Sequence, residues 1–137
     1  MYKNKLKIIF LSFVILFTIG IVIYALWSKN KLQENHTVIT GKIINCQNGS
    51  RGNGGSLFFD YSISIANKNY NASSSYWTNE LSFFAAEKYF VGKTFPVAYN
   101  PSKPSESSIL ITPKDFSRYG YPFPDSLKWV LQYLKEK

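Results

Sequence analysis

The 137-residue chain holds one cysteine, Cys46, and one histidine, His36. A zinc site usually takes several thiolates or imidazoles, so a His/Cys metal centre within one chain is excluded. An internal disulfide is excluded with it. His36 sits beside a polar stretch, which leaves histidine-based catalysis without a candidate. Acids are scarce, 8 against 16 Lys plus Arg. Asp60, Glu80, Glu87, Asp115 and Asp125 are dispersed, whereas acid–base work needs a carboxylate within reach of a partner. Ser73, Ser74 and Ser75 have no local base to activate them. The Gly-rich string at 48–55 (NGSRGNGG) lacks the Lys-Ser/Thr ending of a phosphate cradle and reads as a hairpin connection. No run of adjacent Lys or Arg occurs, so nucleic acid is not an expected partner. The expectation is a protein that is not an enzyme and takes no metal and no small-molecule cofactor.

One long apolar run is present. Residues 8–27 (IIFLSFVILFTIGIVIYALW) carry no charge. At about 1.5 Å per residue they span roughly 30 Å, the thickness of a bilayer's hydrocarbon core. Tyr24 and Trp27 end the run, where amphipathic rings favour headgroups. The run exceeds a signal-peptide core, and Ala25-Leu26-Trp27 offers no small-residue cleavage site. An uncleaved transmembrane helix is expected. Lys3, Lys5 and Lys7 precede it, and Lys29 and Lys31 follow. Basic flanks favour the cytoplasm, which puts the N-terminus inside and the rest of the chain outside a bacterial inner membrane. Removing the three leading lysines from the net +8 leaves 13 basic and 8 acidic residues, or +5, scattered over the remainder.

The rest reads as mainly β. Residues 28–36 are a polar linker. A first strand is expected at 37–47, where impure alternation puts a bulge or bend at Gly41. Leu57, Phe59, Tyr61, Ile63 and Ile65 alternate with Phe58, Asp60, Ser62 and Ser64, the mark of a strand with one buried face. Asn67-Lys68-Asn69 is a turn, and a Ser-rich strand follows through Tyr70, Ala72, Ser74 and Tyr76. Asn79 starts a short helix that ends before Gly92 and plugs the open side of the sheet. Further strands are expected at Thr94–Asn100 and Ser108–Thr112, around a rigid turn at Pro101–Pro104. Residues 113–124 look too rich in Pro and Gly for regular structure. Leu127, Val130, Leu131 and Leu134 then recur at the spacing of an amphipathic helix.

Several of these segments resemble the bacterial domain of unknown function DUF3592. That family pairs a Thr/Gly-Val-Val type strand with a Tyr-centred strand, which Thr40-Gly41-Lys42-Ile43-Ile44 and Phe59-Asp60-Tyr61-Ser62-Ile63 resemble. Asn67-Lys68-Asn69-Tyr70 resembles its x-Gly-Lys-x-Tyr hairpin, with Asn for the usual Gly. The segment from Val91-Gly92-Lys93 through Tyr99-Asn100-Pro101 to Pro104-Ser105 is similar to its Gly-x-x-Val-x-Val-x-Tyr-Asn-Pro-x-x-Pro signature. The resemblance covers residues 37–112. It implies a small antiparallel β-barrel or sandwich-like domain beside a membrane helix, and no activity. Two features depart from the family, the Ser-rich third strand and a short amphipathic helix where a second transmembrane helix often stands.

The organisation expected is therefore a basic flank (1–7), a transmembrane helix (8–27), a linker (28–36), a β domain (37–112) and an aromatic tail with an amphipathic helix (113–137). Phe116, Tyr119, Tyr121, Phe123, Trp129 and Tyr133 crowd that tail. Such rings dominate interface hot spots, so they are the candidate partner-binding residues. The alternatives for them are cover for the core and contact with the membrane surface. Cys46 reads as apolar filler, with an intermolecular disulfide as its other use. The functional expectation is a single-pass membrane-anchored interaction module with a protein partner, one form being an immunity protein that neutralises a toxin at the envelope. An accessory subunit of a larger membrane complex is the second reading. An envelope hydrolase using Ser73–Ser75 and Asp60 is the last.

Overall fold

The computed structural model describes residues 2–49, 55–78 and 83–135. The chain divides into two compact units, Met1–Glu34 and Asn35–Lys137. The expected start of a helix at Asn79, Glu80 and Leu81, and most of the Gly-rich loop, lie outside the described residues.

The first unit is one helix, α1 (Tyr2–Glu34). It continues through residues 28–34, which the polar composition marked as a linker. That stretch (SKNKLQE) contains no Gly or Pro to stop the ladder, and Asn35 and His36 alone separate it from the first strand. Every large apolar side chain from Phe10 to Trp27 is exposed, from 40% at Val14 to 70% at Phe10. The helix is long and apolar enough to cross a membrane.

The second unit is a six-stranded antiparallel sheet with short helices. Its strands are β1 (Thr37–Asn48), β2 (Ser56–Ile65), β3 (Lys68–Thr78), β4 (Thr94–Asn100), β5 (Lys103–Ile109) and β6 (Leu134–Lys135), in the order β5-β4-β1-β2-β3-β6. The sheet curls into a half-barrel that brings β3 towards β5. Mainly β architecture with an N-terminal apolar helix is thus the observed fold class.

Two details of β1 explain the curl. Gly41 is buried between its neighbours, and a Cβ there would stand 2.5 Å from Val97 Cγ2 and 2.9 Å from Ile63 Cγ2. Glycine is therefore needed for close approach. The bulge expected at Gly41 lies three residues later, where the register with β2 shifts between Ile43 and Asn45. The extra residue, Ile44, flips the parity. Gly41 and Ile43 point inward before it, and Cys46 points inward after it.

The β2–β3 hairpin turns at Ala66 and Asn67, with φ of 48° and 63°, and Lys68 already pairs with Ile65. Such a two-residue turn with both φ positive matches strand twist. It sits one residue earlier than the expected Asn67–Asn69 turn. Strand β5 likewise begins at Lys103 rather than Ser108.

Helix α2 (Phe83–Phe90) buries Ala86 and Phe90 in the open end of the half-barrel. Phe90 touches Phe59, Phe95, Trp129 and Tyr133, with ring centroids at 4.9, 6.4, 5.2 and 6.1 Å.

The tail corrects two expectations. Residues 113–118 form a helix, α3 (Pro113–Arg118), in the stretch read as irregular. Pro113 occupies the first helical position, where its missing N–H costs nothing. Gly120, at φ +76°, closes the helix, and the Tyr121 N–H returns to the Phe116 carbonyl at 3.0 Å. The expected amphipathic helix is a 3-10 helix, Asp125–Gln132, ahead of β6. A 3-10 helix rises about 2.0 Å per residue against 1.5 Å for an α-helix. The longer reach accompanies the pairing of Leu134 with Thr78 on β3.

Candidate interaction surfaces

The six tail aromatics occupy three different places. Phe116 and Tyr119 are buried, and Phe116 meets Phe123 edge to face at 5.5 Å. Tyr119 and Tyr121 flank His36, at 4.9 and 5.7 Å between ring centroids, and the Tyr121 hydroxyl lies 3.2 Å from His36 Nε2. Trp129 and Tyr133 pack on the Phe90 cluster, half-buried. Tyr121 is the most exposed of the six. Covering the core thus engages most of this set, and the structure does not gather it into one patch.

Three further exposed apolar side chains stand on α2 and the 3-10 helix. Phe84 is 80% exposed, with Tyr89 and Leu131 also in solvent. On α2, Phe84 and Lys88 stand four residues apart, so they share the face away from Ala86 and Phe90. Tyr89 stacks on Tyr133 at 4.8 Å, and Lys88 Nζ stands 5.9 Å from the Tyr89 ring. The consecutive aromatic and alanine positions on α2 give too wide a stripe for the sequence alone to choose the buried face.

A second surface is the outer face of β1, β2 and β3. Asn45 opposes Asp60, which opposes Ser73, and Gln47 opposes Phe58, which opposes Ser75. Asp60 Oδ2 accepts hydrogen bonds from Asn45 Nδ2 at 2.9 Å and Gln47 Nε2 at 2.7 Å. Burial alone would raise the Asp60 carboxyl, but hydrogen bonds from Ser73, Asn45 and Gln47 outweigh it and hold the carboxyl below its usual range. Asp60 is a weak base for that reason. Ser74 points to the other face, towards Tyr61, so Ser73–Ser75 do not converge on one base.

The buried polar cluster lies where β3 approaches β5. Asp115 Oδ2 accepts from the Ile111 N–H at 3.1 Å, the Thr112 N–H at 2.9 Å, the Thr112 hydroxyl at 3.0 Å and the Tyr76 hydroxyl at 3.0 Å. The single Tyr76 proton also faces the Ile109 carbonyl at 2.9 Å. Burial, and then the charge of Asp115, push the Tyr76 hydroxyl well above its ordinary range, so it remains a donor. Tyr61 reaches Ser107 at 3.1 Å across the same seam. This cluster joins strands that share no ladder, and its groups are turned on one another.

Cys46 is buried in the core. Burial first, and then the charges of Glu87 and Asp60, raise its thiol from 9.0 to about 11. The thiolate is the reactive form. A maleimide or aromatic disulfide reagent at pH 8 is therefore expected to leave Cys46 unmodified in the folded chain and to label it at once in guanidinium. Fast labelling of the folded chain would contradict this. The folded pKa lies above the unfolded one, so burial of the neutral thiol adds stability below pH 9.0 that is lost as pH rises towards about 11.

No protein-family profile, curated protein or solved structure matches the chain. The surfaces themselves carry the functional argument.

Proposed function

We propose that the chain is a single-pass membrane-anchored interaction module that is not an enzyme. Its N-terminus lies in the bacterial cytoplasm, and its β domain is outside the inner membrane, where it binds a protein partner. An immunity protein that holds a toxin at the envelope is one specific form of this reading. The observation that carries it is the exposure of α1. The apolar side chains of Phe10–Trp27 are exposed along the whole run, and an apolar surface of that length is stable only in lipid or against another apolar body.

The position of the exposed aromatics supports the binding role. The chain enters β1 at Thr37, which pairs with Tyr99 beside the β4–β5 turn. At the other end of the strands, Asn48 pairs with Leu57 and Leu57 with Tyr76, next to Thr78 and β6. The 3-10 helix leads into β6 at that end, and Tyr89 of α2 stacks there on Tyr133, so Tyr89 and Leu131 lie away from Thr37. The resemblance to DUF3592 is in keeping with a small β domain beside a membrane helix.

The test uses the full chain expressed in its host. It is expected to stay with membranes through alkaline carbonate washing. A photo-crosslinker at position 84 is expected to trap one discrete protein, and one at position 114 on α3 is not. Release by carbonate would overturn the anchor. Equal, diffuse products at both positions would overturn the partner surface.

A further inference from the structure

The outer face of β1–β3 has a chemistry different from that of the α2 face. Trp77 is 45% exposed and Phe58 38% exposed, and they stand diagonally across the β2–β3 pair, since Ser56 opposes Trp77 and Phe58 opposes Ser75. The Phe58 ring lies over Gly49, where a Cβ would collide with it, so the backbone holds the ring in place. Between and beside these rings the side chains are short. Ser73 and Ser75 make a low, hydroxyl-lined floor flush with the sheet.

Asp60 organises the polar part. It draws the amide nitrogens of Asn45 and Gln47 to one oxygen. Each amide then turns its carbonyl oxygen away from Asp60, because the two groups share one planar carbon. Fixed acceptors result, next to two aromatic faces. Among the described residues, Asp60, Lys42 and Lys135, which pairs with Trp77 from β6, are the charged residues in register on this face. A phosphate-rich ligand would need more cations, and serine is depleted in protein interfaces. Three scattered charges among amides, hydroxyls and two rings match a neutral ligand rich in hydroxyl donors, with an apolar C–H face that can lie on an aromatic ring.

We propose that this face binds a neutral glycan strand, a hexose or N-acetylhexosamine oligomer. One pyranose ring stacks on Trp77, and hydroxyls of the neighbouring units donate to Asn45 Oδ1 and Gln47 Oε1. The Ser-rich third strand gains a role, since longer side chains at 73 and 75 would lift a flat ligand off the ring. This site stands whether or not α1 crosses a membrane.

The test is calorimetric titration of the full chain, in neutral detergent, with the tetramers of N-acetylglucosamine and of glucose. Saturable binding of at least one is expected. Trp77→Ala should weaken it about tenfold or more, and Trp77→Phe should retain most of it. Gln47→Ala should weaken it severalfold, and Lys114→Ala on α3 should leave it unchanged. Affinity should hold between about 50 and 500 mM salt, since no charge pair forms. Absence of binding to both tetramers overturns the proposal. So does binding that survives Trp77→Ala, or binding that collapses with salt. A discrete protein crosslinked at position 77 rather than 84 would assign the face to a protein and overturn it equally.

Discussion

Asp115→Ala is expected to destabilise the β domain by about 3–5 kcal/mol, because it strips a buried acceptor from several donors at once. The carboxylate serves the Ile111 and Thr112 N–H groups, the Thr112 hydroxyl and the Tyr76 hydroxyl, all within 3.1 Å. In the alanine variant the two backbone N–H groups stay buried with no acceptor, and each unsatisfied group costs about 1–3 kcal/mol. Water entry would recover part of that. Asp115→Asn should fall between, since its carbonyl oxygen still accepts while its NH2 presents a donor to donors. Tyr76→Phe should cost less, about 1–2 kcal/mol, because the Ile109 carbonyl and Asp115 lose one shared proton and Asp115 keeps its other donors. Denaturant titration followed by near-UV dichroism would measure all three. In the Asp115→Ala and Tyr76→Phe cycle, a coupling near zero would show that the two side chains do not act on each other. A coupling of about 1 kcal/mol or more is expected.

The consequence is topological. Strands β3 and β5 approach without a ladder between them, so the half-barrel is held at this seam by side chains. Loss of Asp115 also frees α3, whose Thr112 cap depends on it. Hydrogen exchange should therefore speed up at Ile111–Tyr121 before it does in β1 or β2.

How far the sequence carried this fold depends on the kind of signal each element used. Leu57–Ile63 were legible because a period of two has one reading when every inward residue is large and apolar. The bulge was half legible: the broken alternation of β1 announced it, but glycine drew attention to position 41 and the extra residue is Ile44. Helix α3 was legible and passed over. Thr112-Pro113-Lys114-Asp115 holds an N-cap, a first-turn proline and a returning acid, with Gly120 at the far end. Composition over 113–124 masked that local grammar. The 3-10 helix was not legible, since its stripe at Leu127, Val130 and Leu134 suits either helix until the strand partner of Leu134 is known.

The candidate surfaces were harder still. The tail aromatics were visible as a composition cluster, but whether a ring covers a core or faces a partner is decided by elements far away in sequence. Phe90 and Phe95 claim Trp129, and His36 claims Tyr119 and Tyr121. The Asn45–Gln47–Asp60 cluster depends on the bulge. Without the parity flip at Ile44, Asn45 and Gln47 would point into the core rather than towards Asp60.

Phe90→Ala is expected to be as damaging, at about 3–5 kcal/mol, from lost apolar burial plus the cavity left behind. Phe90 is fully buried, and three separate pieces of chain meet on its ring. Phe59 belongs to β2, Phe95 to β4, and Trp129 and Tyr133 to the tail. A domain of this size is stable by about 5–15 kcal/mol, so the loss is a large fraction of the whole. Phe90→Leu should recover more than half, because it refills most of the volume without the ring pairs. Tryptophan emission should shift to the red in the alanine variant as Trp129 gains water. The variant also separates packing from surface chemistry. Phe90 fixes α2 and the tail together, so its loss should abolish crosslinking at position 84 while the exposed residues there remain present. Binding of glycan at Trp77 should survive, provided β3 keeps its register with β2. If both signals vanish together at a temperature where the sheet is still folded, the two faces are one site. If crosslinking at 84 persists despite the cavity, the partner reads Phe84 alone and the α2–tail assembly has no part in recognition.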